Sequence, residues 1–128
     1  MSEVPKSVLD EMVRVIVEAI DPERIIMFGS HAKGNAGPDS DLDIMVVDSK
    51  QFEKGRSRVN VTGDLYRALL HFRFPLDLLL FTIEEVQKWS NSKNHVIGRA
   101  LREGKVLYER GFPSDSTIMN TCLNGNGM

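Results

Sequence analysis

Residues 28–44 read FGSHAKGNAGPDSDLDI, a glycine-rich run closing on alternating aspartates between two apolar segments. Those segments, RIIMF at 24–28 and LDIMVV at 42–47, have the length and composition of buried strands. Side chains in a strand alternate sides, so Asp41 and Asp43 point one way at the mouth of the second strand and Leu42 points into the core. The rise of a strand sets the two Cα atoms about 6–7 Å apart. Over that separation two carboxylates can converge on one hard cation or on a pair. Gly29 and Ser30 follow the first strand directly, with Gly34 and Gly37 behind them. Glycine lets a backbone approach a phosphate closely, the Ser30 hydroxyl can donate to a phosphate oxygen, and Lys33 adds positive charge.

Outward from this stretch, residues 5–20 carry apolar residues at helical spacing, with Val8, Met12, Val15, Ile16 and Ala19 on one face. Val59, Thr62, Tyr66, Leu69 and Leu70 predict a second helix. PLDLLLF at 75–81 predicts a third strand, opened by a proline that a first strand position tolerates. Thr82 with Glu85 three residues on forms a capping box for a short helix. A further helix over 94–103 stops at Gly104, and KVLYE at 105–109 predicts a last strand. The order α-β-β-α-β-α-α-β predicts an α/β (α+β) fold: a small mixed β-sheet with helices mainly on one face. Residues 1–112 are expected to form the single domain and 113–128, without periodicity, a flexible tail.

Asp77 is the charged residue of an otherwise apolar strand segment. A carboxylate there costs free energy unless it meets solvent, a hydrogen-bond partner or a cation. If strand 75–81 pairs beside strand 42–47, Asp77 joins Asp41 and Asp43 on one surface. Three carboxylates repel one another, and bound Mg²⁺ reverses the sign of that repulsion, with substrate phosphates completing the coordination.

Composition narrows the partners. Hydrophobic residues make up 41% and charged residues 27%, which is globular, and the formal net charge of −2 argues against direct nucleic-acid binding without a local basic patch. The single cysteine, Cys122, excludes an internal disulfide framework or a cysteine-built metal site and suits a reducing compartment. No apolar run spans a membrane and MSEVPK has no signal-peptide core, so a cytoplasmic protein is expected.

Gly29-Ser30, ten residues, then Asp41-Leu42-Asp43 resembles the signature of the nucleotidyltransferase superfamily that includes DNA polymerase beta. The short chain with a lone downstream Asp77 is similar to its minimal (MNT) members, which are commonly paired with a helical HEPN toxin. The resemblance spans roughly residues 8–109 and implies the nucleotidyltransferase fold. It implies that Asp41, Asp43 and Asp77 are catalytic and metal-binding, with two Mg²⁺ on the first pair and Asp77 as base. It also implies that Gly29 and Ser30 hold the triphosphate of ATP, a role that Lys33 supports. Many relatives read Gly-Ser-Arg-Ala-Arg-Gly where this chain has His31 and Lys33. Lys33 keeps the charge without the bidentate geometry, and His31 is charged only when protonated.

With no room for an acceptor-binding domain, the acceptor is expected to be a protein, the HEPN toxin. The expected function is AMP transfer to a hydroxyl of that toxin, a tyrosine for preference, which makes this chain its antitoxin. Two alternatives stand beside it: neutralisation by binding alone, or transfer to a small aminoglycoside-type molecule with a helical partner subunit. Elsewhere the plainer readings hold. Asp39 and Asp48 read as turn or cap residues, Arg56 and Arg58 as a polar loop face, and His95 as surface or satisfied core. Lys93, Arg99, Arg102 and Lys105 read as a solvated face.

Overall fold

The computed structural model describes residues 4–37 and 40–111, so the expectations for Asp39 and for the tail lie outside the described residues. Helix α1 (Lys6–Ile20) leads into strand β1 (Arg24–Phe28), the short helix α2 (Ser30–Lys33) and strand β2 (Leu42–Asp48). Helix α3 (Arg58–Leu69) is followed by a 3-10 turn over Leu70–Phe72 and strand β3 (Leu76–Thr82). Helices α4 (Ile83–Trp89) and α5 (Val96–Glu103) precede strand β4 (Lys105–Glu109). The four strands form one mixed sheet in the order β3-β2-β1-β4. β1 runs antiparallel to both β2 and β4, while β2 and β3 are parallel.

The alternation of the strands divides the core in two. Even positions of β2, Leu42, Ile44 and Val46, pack with Ile25 and Met27 of β1 and Leu78 and Leu80 of β3 under α1 and α3. Met12 and Ile16 supply the α1 contribution, Val61, Leu65 and Leu69 that of α3, and Ala32 of α2 joins the same cluster. Odd positions, Met45 and Val47, face the other way with Ile26 and Phe28, against Val86 of α4 and Ile97 and Ala100 of α5. The mixed sheet agrees with expectation and the larger core lies on one face. The expected one-sidedness of the helices needs an amendment, because α4 and α5 close the second face. The reason is the near-continuous apolar run of β2, buried on both sides as a central strand must be.

Several caps follow the sequence directly. Thr82 accepts from Glu85 N and Glu85 returns a carboxylate oxygen to Thr82 N, completing the capping box. Glu85 also receives Arg58, which donates to Leu80 O at 2.7 Å and lies 4.8 Å from the centre of the Phe52 ring. Arg58 is therefore a tie between α3, α4 and β3 rather than a polar loop residue. Asp48 closes β2 with no exposed surface, its Oδ1 accepting from Lys50 N and its Oδ2 2.8 Å from Arg56 Nη2. His95 caps α5 through Nδ1, which accepts from Ile97 N, and its ring stacks on Trp89 at 4.5 Å.

Candidate active site

The parallel register of β2 and β3 pairs Asp43 with Asp77 directly. Neighbouring strands stand about 4.8 Å apart and paired residues project to the same side, so the two carboxylates flank each other. They share the odd-numbered face of the sheet with Met45 and Val47, at the end where β2 and β3 begin. Asp41 is exposed one residue before β2 and acts electrostatically on Asp43. Leu42 between them is 1% exposed and faces the α1 core, as the alternation requires.

Asp43 carries the electrostatic signature of the group. Partial burial pushes its carboxyl above the ordinary aspartate range first, repulsion from Asp77 and then Asp41 adds to the rise, and His31 opposes it. Asp77, in contrast, is exposed at the start of the edge strand.

β1 delivers the glycine loop to the same place. Phe28 is the register partner of Asp43, so Gly29 emerges beside that carboxylate. A Cβ on Gly29 would overlap Asp43 Oδ2, and the backbone there has φ +75°, a conformation that suits glycine. Ser30 then opens α2, whose turns close through Ala32 N and Lys33 N donating to Gly29 O. The glycine-rich connection of the sequence thus contains a one-turn helix, too short for apolar periodicity to reveal.

The basic residues of the loop have definite partners. His31 Nε2 lies 3.3 Å from Ser40 O, where it must donate because a carbonyl accepts. Lys33, expected beside the triphosphate, turns to α5 and stands 3.2 Å from Glu103. Of the expected site residues, then, the fold gathers Gly29, Ser30, Asp41, Asp43 and Asp77 and holds the Lys33 ammonium against an acid. Lys105, expected on a solvated face, is exposed and is the register partner of Met27 in β4.

The donor set suits Mg²⁺, which takes one or two carboxylates and completes its coordination with water and substrate phosphates. Asp43, held up in pKa by burial and by the neighbouring carboxylates, gains from a cation at that point. Among the described residues no group of three or more His, Cys, Asp or Glu side chains is placed to hold a metal ion. An open carboxylate platform of this kind leaves coordination positions for phosphate oxygens. Among the described residues no helix is long and apolar enough to cross a membrane.

The sequence model of the family described as "Polymerase beta, Nucleotidyltransferase" matches residues 11–112. Among solved structures, a Sulfolobus solfataricus protein proposed to be a nucleotidyltransferase superposes with a TM-score of 0.51 at 20% identity, covering 81% of this chain and 79% of that one. A toxin–antitoxin crystallised with AMP-PNP gives 0.50 at 19% identity, covering 91% and 86%. A mutant of the toxin–antitoxin MntA–HpeT gives 0.51 at 17% identity, covering 92% and 86%. These likenesses establish a shared fold. No curated protein matches the chain.

Proposed function

The chain belongs to the polymerase beta nucleotidyltransferase family, and on that premise we propose that it moves AMP from ATP to a tyrosine hydroxyl of a partner HEPN toxin, as that toxin's antitoxin. The observation that carries the reading is the parallel register of Asp43 and Asp77 with Gly29 against the Asp43 carboxylate. It brings an acid pair and a phosphate-approach loop to one end of one sheet. Two of the fold neighbours are toxin–antitoxin complexes, one with an ATP analogue, which supports a protein partner and an adenine nucleotide.

In this reading Asp41 and Asp43 hold Mg²⁺, two ions as the family resemblance implies, and Asp77 is the third carboxylate of the set. The bound cation supplies charge neutralisation at the phosphates and polarises the α-phosphoryl group. Gly29 admits the triphosphate close to the backbone and Ser30 donates to a phosphate oxygen. Asp77, exposed at the open edge of the group, takes the proton of the acceptor hydroxyl. The hydroxyl oxygen bonds to the α-phosphorus as the bond to pyrophosphate breaks. The phosphodiester left on the toxin adds negative charge at its tyrosine, which disables an RNA-cleaving site.

One observation favours a second reading, neutralisation by binding alone: Lys33 is paired with Glu103 rather than aimed at the carboxylates. Intact mass spectrometry of the HEPN partner, incubated with this chain, Mg²⁺ and ATP, separates the two. Transfer predicts a gain of one or more AMP units that disappears with Asp41→Asn/Asp43→Asn. A toxin silenced without any mass gain, by wild type and double variant alike, would establish occlusion instead.

A further inference from the structure

Strand β3, which carries Asp77 at its exposed start, is an edge of the sheet: β2 lies on one side and, among the described residues, no strand on the other. The outward N–H and C=O groups of an edge strand are left to side chains or water. Backbone groups of alternate residues turn toward the neighbouring strand. Leu42 N donates to Pro75 O at 2.8 Å, so Asp77 and Leu79 also turn to β2, while Leu78 and Leu80 turn outward.

Two side chains of α3 occupy that outer edge. The Tyr66 hydroxyl accepts from Leu78 N at 2.9 Å, and Arg58 Nη1 donates to Leu80 O at 2.7 Å. The first of these bears on the site. Leu78 N belongs to the peptide group that joins Asp77 to Leu78, so the bond fixes the peptide plane directly after the Asp77 Cα. With β2 on its inner side and Tyr66 on its outer side, this end of the strand is gripped from both flanks. Tyr66 is itself well held. Its ring packs against the larger core, and Leu65 and Leu69 of the same helix are buried.

We infer that Tyr66 is a positioning residue for Asp77: its hydroxyl holds the Asp77–Leu78 peptide and so aims the carboxylate at the acceptor hydroxyl. The inference rests on the proposed transfer reaction, in which Asp77 takes the acceptor proton. A base works only within hydrogen-bond reach of its proton, and misplacement by about 1 Å can cost as much as 10² in rate. Arg58 grips the same edge three residues beyond Asp77, about 10 Å along the strand. It braces β3 without setting the direction of the carboxylate.

Tyr66→Phe keeps the ring and removes only the hydroxyl, so the chain should fold and melt a few degrees lower. Transfer from ATP to the partner toxin, followed by intact mass over a range of ATP concentrations, should then show kcat about tenfold lower. KM for ATP should stay unchanged, because on the proposed reading the nucleotide meets Asp41, Asp43 and Gly29 and not Tyr66. Arg58→Lys, which disturbs the other tie, should lower the melting temperature and keep the wild-type kcat. In the ligand-free full chain, the NMR resonance of the Asp77 carboxyl carbon should move in Tyr66→Phe and stay in place in Arg58→Lys. Wild-type kcat in Tyr66→Phe, with Asp77→Asn inactive, would overturn the positioning role and keep the transfer reading. Equal losses of kcat in the two edge variants would reduce Tyr66 to a general brace and overturn it as well. An Asp77 resonance indifferent to Tyr66→Phe would do the same. A wild type that modifies nothing, with the resonance still moved, would defeat the transfer reading alone and keep the hold of Tyr66 on Asp77.

Discussion

Asp43 joins stability and function with opposite signs. Its carboxyl is raised by burial and by Asp77 and Asp41, so ionising it costs more in the folded chain than in the unfolded one. A raised folded value means that the favourable contribution is present below the ordinary aspartate range and is lost as pH rises through the folded value. At neutral pH the ionised carboxylate therefore weakens the fold. Asp43→Asn should melt higher than wild type in metal-free buffer at neutral pH, by roughly 2–4 °C for a chain of this size. The gap should close as pH falls into the ordinary aspartate range. On the proposed transfer reading the same variant should lose activity by about 10² or more, since it gives up a carboxylate that would hold the cation neutralising the transition-state charge. Parallel melts of the two proteins across pH check the first half, and a lower neutral-pH melting temperature for Asp43→Asn would show the carboxylate stabilised by something other than a cation. Gly29 belongs with Asp43, because the carboxylate occupies the space that a side chain there would need.

At the scale of elements, what the sequence disclosed and what it hid divide along physical lines. Helices α1 and α3 announce themselves by period, because burial of one face leaves a regular trace, the strands by short apolar runs of strand length, and α4 by its capping box. The pairing of β2 with β3 was open to the sequence only as a condition: Asp77 joins Asp41 and Asp43 if the two strands are neighbours, and the parallel register makes them so. Helix α2 has four residues and leaves no trace of this kind. The His95 cap, the buried Asp48–Arg56 pair and the bond from Arg58 to Glu85 are contacts between positions whose types alone also suit a solvated loop. Lys33 shows the same limit: its charge is visible in the sequence and its direction toward Glu103 is not. Gly98 was silent too. It sits in α5 where a Cβ would overlap Ser92 O, in a loop that Arg102 holds through Ser92 O and Lys93 O. Helix propensity alone favours alanine over glycine by about 1 kcal/mol. The steric overlap is with backbone that has its own ties, so Gly98→Ala should instead destabilise by roughly 2 kcal/mol. Urea unfolding decides the sign, and a stabilised Gly98→Ala would mean that the 90–95 loop yields at little cost.

Across the whole molecule the cost of burying charge concentrates at the carboxylate end of the sheet. Net charge is only −2, yet Asp43 and Asp77 pair in register at one end of the sheet and Asp41 stands exposed one residue before β2. On the proposed reading a Mg²⁺–triphosphate complex would bring a cation to this group and so offset the burial and repulsion that raise Asp43. Ligand that binds only the folded chain stabilises it by about 2.7 kcal/mol at a hundredfold excess over Kd. A non-hydrolysable ATP analogue with Mg²⁺ should therefore raise the melting temperature by several degrees, and the analogue with EDTA by much less. The increment depends on ionised Asp43. Because that carboxyl is raised, the increment should begin to fade on acidification before the ordinary aspartate range is reached. Asp43→Asn supplies the complementary case: more stable than wild type without ligand, indifferent to ligand at every pH. Differential scanning fluorimetry of both proteins over pH, with and without the metal–nucleotide complex, should yield curves that cross. Curves that stay parallel would mean that nucleotide binding and the Asp43 charge are independent, and that the carboxylates are not where the metal enters.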